Sequence, residues 1–94
     1  MNAQHYLLGV RTVDISNVTD LNDIKYNGIT MCFFVGSTNP ANTPIDPGNN
    51  KRFQLFEIRT NMTGTDYIQF FIQRGTNVLY MRSCFDDWTS WKEL

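Results

Sequence analysis

The sequence predicts a mainly β fold with a minor helical part: a small, twisted antiparallel meander with one short helix packed on it. Three observations lead there. The chain of 94 residues is 14% aromatic and 41% hydrophobic, and aromatic side chains suit a pleated, half-buried surface. Its apolar residues fall in short runs, several with a period of two. Clusters of Gly, Pro and Asn separate these runs. A chain of this length fits one domain and buries roughly two-thirds of its unfolded surface, enough for one core.

The elements follow in order. Tyr6 to Val13 reads as a strand with Tyr6, Leu8 and Val10 on one face. In the next stretch Thr19 or Asp20 can cap a short helix, because either side chain accepts bonds from free N–H groups. Leu21 and Ile24, three apart, share its inner face, and Asn27-Gly28 ends it by tolerating positive φ. Ile29 to Val35 is the clearest buried strand. Ile29, Met31, Phe33 and Val35 share one face, and Cys32 and Phe34 make the other apolar too, so it belongs inside a sheet. Gly36 to Asn50 carries all three prolines and reads as a long loop. Lys51 to Thr60 is a strand whose pattern slips at Leu55-Phe56, from a bulge or from burial on both faces. A turn at Asn61–Asp66 leads into Tyr67–Gln73, where Ile68, Phe70 and Ile72 oppose Tyr67, Gln69, Phe71 and Gln73. The short connection Arg74–Asn77 then opens the strand Val78–Ser83.

Charge narrows the partners. Eight basic and nine acidic residues give a net charge of −1, and Lys51-Arg52 is the densest basic spot. Nucleic-acid affinity rests largely on neutralising phosphates, so no nucleic-acid partner is expected. No apolar run approaches the roughly 20 residues that span a bilayer, and the first ten residues lack a signal pattern. A soluble chain without membrane insertion is the expectation.

The motif scan favours no enzyme and no cofactor. His5 is the single histidine, so no His-based triad or metal cluster is available, and the glycines form no phosphate loop. Asp86-Asp87 and Asp20-Asn22-Asp23 could serve a glycosidase or a calcium ion, but such residues commonly form turns and caps, which is their expected role here. The sequons Asn17-Val18-Thr19 and Asn61-Met62-Thr63 lack a secretory context and are read as accidental. Cys32 and Cys84, each in an apolar run, are expected as free, buried thiols. Trp88 and Trp91 either form an exposed sugar-stacking platform or close the end of the core; the structural role is expected for both.

Asp20-Leu21-Asn22-Asp23-Ile24-Lys25-Tyr26-Asn27-Gly28-Ile29-Thr30 resembles the opening of knob domains in phage tail fibres and R-type pyocin fibres, receptor-binding tail fibre proteins. Leu79 to Ser83 followed by Trp88-Thr89-Ser90-Trp91-Lys92-Glu93-Leu94 is similar to the ending of that family. The resemblance implies residues 1–18 as an N-terminal strand or a linker from a preceding fibre segment, and 19–94 as a knob-like β domain. It implies a structural and receptor-binding module of a phage tail fibre or tail-like bacteriocin, a homotrimer within the virion, made in the host cytoplasm. Its partner would be a bacterial cell-surface glycan or other receptor. The loop from Gly36 to Asn50 and the turn Asn61–Asp66 are then the receptor-facing candidates, through Asn39, Asn42, Asp46, Asn49, Asn61 and Asp66. Their amide and carboxylate groups can pair with sugar hydroxyls.

Phe34, Phe56, Phe71 and Tyr80 exceed what one thin core absorbs, which independently suggests a contact surface. The alternatives are a free-standing carbohydrate-binding module, with Trp88, Trp91, Tyr67 or Tyr80 on an exposed face, and a small enzyme using Asp86 and Asp87 with a tyrosine.

Overall fold

A computed structural model describes residues 10–45, 52–59 and 66–94. The chain folds as one mainly β unit. Its strands are β1 (Val10–Asp14), β2 (Ile29–Phe34), β3 (Phe53–Arg59), β4 (Tyr67–Gln73), β5 (Leu79–Phe85), β6 (Asp87–Trp88) and β7 (Lys92–Glu93). They form a seven-stranded sheet in the order β1-β2-β3-β4-β5-β6, with β7 also on β5.

From β2 to β5 the sheet is the antiparallel meander that the apolar runs predict. The register between β3 and β4 runs unbroken through Leu55↔Phe71 and Phe56↔Phe70. The slip at Leu55-Phe56 is therefore burial on both faces and not a bulge: Leu55 lies in the core and Phe56 is half-buried on the opposite face. The first strand departs from a pure antiparallel sheet, because β1 pairs parallel to β2 through Val13↔Cys32. A parallel neighbour requires a crossover rather than a hairpin, and residues 15–28 supply it.

That crossover contains the predicted helix in reduced form. Only Leu21–Asp23 is helical, as a single 3-10 turn. Asp20 caps it, its carboxylate accepting from Asn22 N at 2.8 Å, and Ile24 is already extended. The turn stops early because the chain must run on across the sheet to Gly28, whose φ of +76° reverses it into β2. Leu21 and Ile24 are both buried, as their spacing predicts.

The core lies between one face of the sheet and the segments that cross it. Cys32 and Phe34 of β2, Phe53 and Leu55 of β3 and Phe71 of β4 meet Ile15, Leu21 and Ile24 from the crossover. Phe53 stacks on Phe34 with centroids 4.8 Å apart and on Phe71 at 4.6 Å. Ile45, Tyr80 and Trp91 close the margins. Cys32 and Cys84 are free and buried, as expected. β3 and β4 separate their strands, placing them about 14 Å apart at the usual strand spacing, twice the reach of a disulfide.

The opposite face is also apolar. Ile29, Ile58 and Ile68 align across β2, β3 and β4; Met31, Phe56, Phe70 and Met81 align from β2 to β5; in the third row the polar Gln54 separates Phe33 from the pair Ile72 and Leu79. Ile29 is 38% exposed and the others are half-buried. The core cluster draws no residue from this face. Strand β2 is thus interior to the sheet, but its Met31-Phe33 face is uncovered among the described residues.

The C-terminal tail covers the far edge of β5. Thr89 N donates to Ser83 O at 2.7 Å, Ser83 N donates to Thr89 Oγ1 at 3.0 Å, and Leu94 N donates to Leu79 O at 2.8 Å. Strands β6 and β7 fill the intervals.

Candidate functional site

The site grows from a polar row inside the core. Period-two alternation puts Thr30, Glu57, Gln69 and Arg82 on the buried face of successive strands, and their exposures are 0, 0, 0 and 4%. Buried polar groups of this kind must be hydrogen-bonded. Gln69 joins Glu57 to Arg82: its Nε2 donates to Glu57 Oε2 at 2.8 Å and to Leu21 O at 3.0 Å, and its Oε1 accepts from Arg82 Nε at 2.9 Å, while Thr30 Oγ1 stays outside this network. Tyr26 N donates to Glu57 Oε1 at 2.7 Å. The row thereby holds the crossover down on the sheet.

Burial sets the acidities. It pushes the Glu57 carboxyl up to about 7, against the bonds from Gln69 and Tyr26 and the field of Arg82. It pulls the Arg82 guanidinium down to about 10, with Asp20 opposing, so Arg82 stays charged at neutral pH.

Arg82 ends the row between two tryptophans. Its guanidinium carbon lies 4.1 Å from the Trp88 ring centre and 4.7 Å from that of Trp91. A cation over an indole face is stabilised by the ring quadrupole. Trp91 also meets Phe71 edge-on at 6.0 Å, and its Nε1 donates to Asn42 O at 2.8 Å. Trp88 lies against Tyr67 at 6.4 Å. Both tryptophans, half-buried, are held by these contacts. A platform on the faces turned towards Arg82 is excluded, since the guanidinium occupies them.

Around this sandwich lies a cleft of about 430 Å³. Asn22 lines it from the 3-10 turn, Asn42 from the long loop, Asp86, Thr89 and Ser90 from the tail, and Arg82 from β5. Asn42 is fixed by its amide, which donates to Asp20 Oδ1 at 2.8 Å. That bond, then the one from Asn22 N, holds the Asp20 carboxyl below its ordinary range. Ala41 N donates to Thr19 O at 2.8 Å, and Leu21 N donates to Ala41 O at 3.1 Å, tying the long loop to the 3-10 turn. Among the described residues, Asn42 (φ 65°) and Asp86 (φ 68°) are the non-glycine residues with positive φ, and both line the cleft. Asn and Asp adopt this conformation most readily.

Of the receptor-facing candidates, the structure brings Asn42 into the cleft. Asn39 is half-buried in the same loop and Asp66 half-buried before β4, and neither lines the cleft. Asp46, Asn49 and Asn61 lie outside the described residues, as does His5. Sequence reasoning missed Arg82, and it named Asn22 only within the turn-forming cluster Asp20-Asn22-Asp23. The available signal was phase, because Arg82 alternates with Cys84 on the strand that carries both.

Among the described residues no group of three or more His, Cys, Asp or Glu side chains is placed to hold a metal ion. No described helix is long and apolar enough to cross a membrane. Comparison with family models, curated proteins and solved structures gave no match.

Proposed function

We propose that the chain is a structural and receptor-binding module of a phage tail fibre or tail-like bacteriocin. In this reading it assembles as a homotrimer within the virion fibre, contributes to adsorption to a bacterial surface glycan, and has no catalytic role. The resemblance of Asp20–Thr30 and of Leu79–Leu94 to knob domains supplies the class. The observation that carries the reading is the sheet face left uncovered among the described residues, with Met31, Phe56, Phe70 and Met81 across its centre.

At ordinary strand spacing and rise this face spans on the order of 400 Å² in projection. Patches of that size commonly mark contact surfaces, yet it falls short of the roughly 800 Å² per partner of a free-standing pair. A face of this size joins isolated chains weakly, at high concentration, and suits a fibre, where neighbouring modules along the axis add to the hold. Polar residues border it, with Thr12 and Asp14 on β1 and Ser83 on β5 in the same phase.

Sedimentation from micromolar to millimolar chain tests this. A trimer that grows with concentration is expected, and Phe70→Glu should return it to monomer without loss of β-sheet signal. A strict monomer throughout would remove the assembly reading. The cleft beside Trp88 and Trp91 favours a second reading, a free-standing carbohydrate-binding module, which monomeric chain that binds sugar would support.

A further inference from the structure

We infer that the cleft between the 3-10 turn and the tail is a binding site for one neutral, polyhydroxylated ring of a glycan, held by Arg82, Trp88 and Asn22. This rests on the receptor-binding reading above and gives it a location and a ligand class.

The argument begins with unpartnered polar atoms. Among the described residues, the polar atoms buried without a hydrogen-bond partner include Thr30 Oγ1 on β2 and also Asn22 Oδ1, Arg82 Nη2 and Trp88 Nε1. The last three belong to residues that line one cleft. Leaving a buried donor or acceptor unpaired is costly, more so for a charged group. The cost at Arg82 is greatest, since the side chain is 4% exposed and its charged group holds an Nη2 without a hydrogen-bond partner. Native structures hold such groups where a ligand or an ordered water completes them.

The lining selects the ligand by charge and by donor balance. Arg82 Nη2 and Trp88 Nε1 only donate, Asn22 Oδ1 only accepts, and Ser90 can do both. A carboxylate or phosphate only accepts, and would face Asp86 and Asp87 on the cleft wall. An ammonium only donates, and would face Arg82. A hydroxyl donates and accepts without net charge, so an uncharged polyol satisfies both kinds of group. About 430 Å³ lies within the usual range for small-ligand sites. The site is also held in shape, because Asp20 and Trp91 both fix Asn42.

The test uses the full chain and the emission of its two tryptophans, both at the cleft. Glucose, galactose, mannose, N-acetylglucosamine and N-acetylgalactosamine are titrated singly, beside glucuronate and glucosamine. At least one neutral sugar should shift the emission saturably, with both charged analogues about tenfold weaker. Asn22→Ala and Ser90→Ala should each weaken it about 3- to 10-fold, the value of one hydrogen bond. Ser90 is exposed, so its variant stays informative even where Asn22→Ala unfolds the chain. No saturation by any neutral sugar up to about 100 mM overturns the inference, as does tighter binding of a charged analogue or full affinity in Ser90→Ala and a folded Asn22→Ala.

Binding of labelled chain to a panel of Gram-negative and Gram-positive cells separates the two proposals. Cell binding that the sugars do not compete, and that Ser90→Ala leaves intact, sinks the cleft site and keeps the adsorption reading. Sugar binding without binding to any cell does the reverse.

Discussion

Glu57 is a carboxyl with no exposed surface, held by Tyr26 N and Gln69 Nε2. Its folded pKa, about 7, lies above the ordinary 4.5. The folded chain therefore keeps a proton that the unfolded chain loses first. The stabilisation this gives is complete below about pH 4.5 and is lost as pH rises through 7, at about 1.4 kcal/mol per pH unit and roughly 3 kcal/mol in all. Urea unfolding from pH 4.5 to 7.5 should show this decline, and Glu57→Gln should flatten it. The amide turns one N–H towards a donor, so the variant is expected to be weaker throughout; the slope is the diagnostic. Trp91→Ala removes an edge contact to Phe71 and the bond to Asn42 O. Because Trp91 is only partly buried, a loss below the roughly 3–5 kcal/mol of a core aromatic is expected by thermal or urea unfolding. The alternation made Gln69 legible as a partner of Tyr67 and Phe71 on one face. It could not say that this polar face was the buried one, because burial was decided by Leu21, Ile24 and Tyr26 arriving from far along the chain.

At the level of elements, the meander was readable because each strand carries its own period and each turn its own breakers. The parallel pairing of β1 was not, since nothing in residues 10–14 distinguishes a hairpin partner from a crossover partner. The predicted helix shrank to Leu21–Asp23 for a related reason: isolated short helices are marginal, and the turn is shaped by the segment's need to cross the sheet. One residue shows how tightly that crossover is seated. A Cβ on Gly36 would lie 2.6 Å from Ser16 O and 2.7 Å from the Phe34 ring. Ser16 is itself fixed there, its Oγ accepting from Val35 N at 3.1 Å. Gly36→Ala should cost about 1–3 kcal/mol, the usual penalty of overpacking, with Gly75→Ala as a comparison. No atom lies within 4 Å of the added methyl at Gly75, so its cost comes from φ of +81° alone. Chemical denaturation of both variants measures the two costs, and an unchanged stability in Gly36→Ala would show that the contact there relaxes freely.

For the molecule as a whole, the excess of aromatic residues was visible in the sequence, but its location was not. Phe34 and Phe71 are absorbed by the core, and Tyr80 packs at its margin. The true surplus is Phe56 with Met31, Phe33, Phe70 and Met81 on the other face, because strands apolar on both sides give no sign of which side the loops will cover. The thiols probe the closed side. Burial raises Cys32 to about 12 and raises Cys84 as well, and both are buried. Folded chain should give essentially no reaction with a thiol reagent at pH 8, and denatured, unreduced chain should give two equivalents. A rapid reaction in the folded state would show that the sheet opens near β2 or β5.

The tail that seals β5 governs how copies can multiply. A sheet propagates when a bare strand recruits another, and an unprotected edge is the template for that process. Here Thr89 and Leu94 occupy the hydrogen-bonding groups of Ser83 and Leu79, so that margin cannot accept a new strand without first peeling away the last residues. Association through the open face consumes apolar surface and exposes none, whereas association through an edge would expose another edge. That margin is thus arranged to finish an assembly and not to elongate it, whereas β1 ends the sheet on the other side with β2 as its one neighbour among the described residues. Truncation before Trp88 should turn this around: shortened chain at high concentration is expected to bind amyloid dyes and form fibrils, while intact chain remains in finite particles.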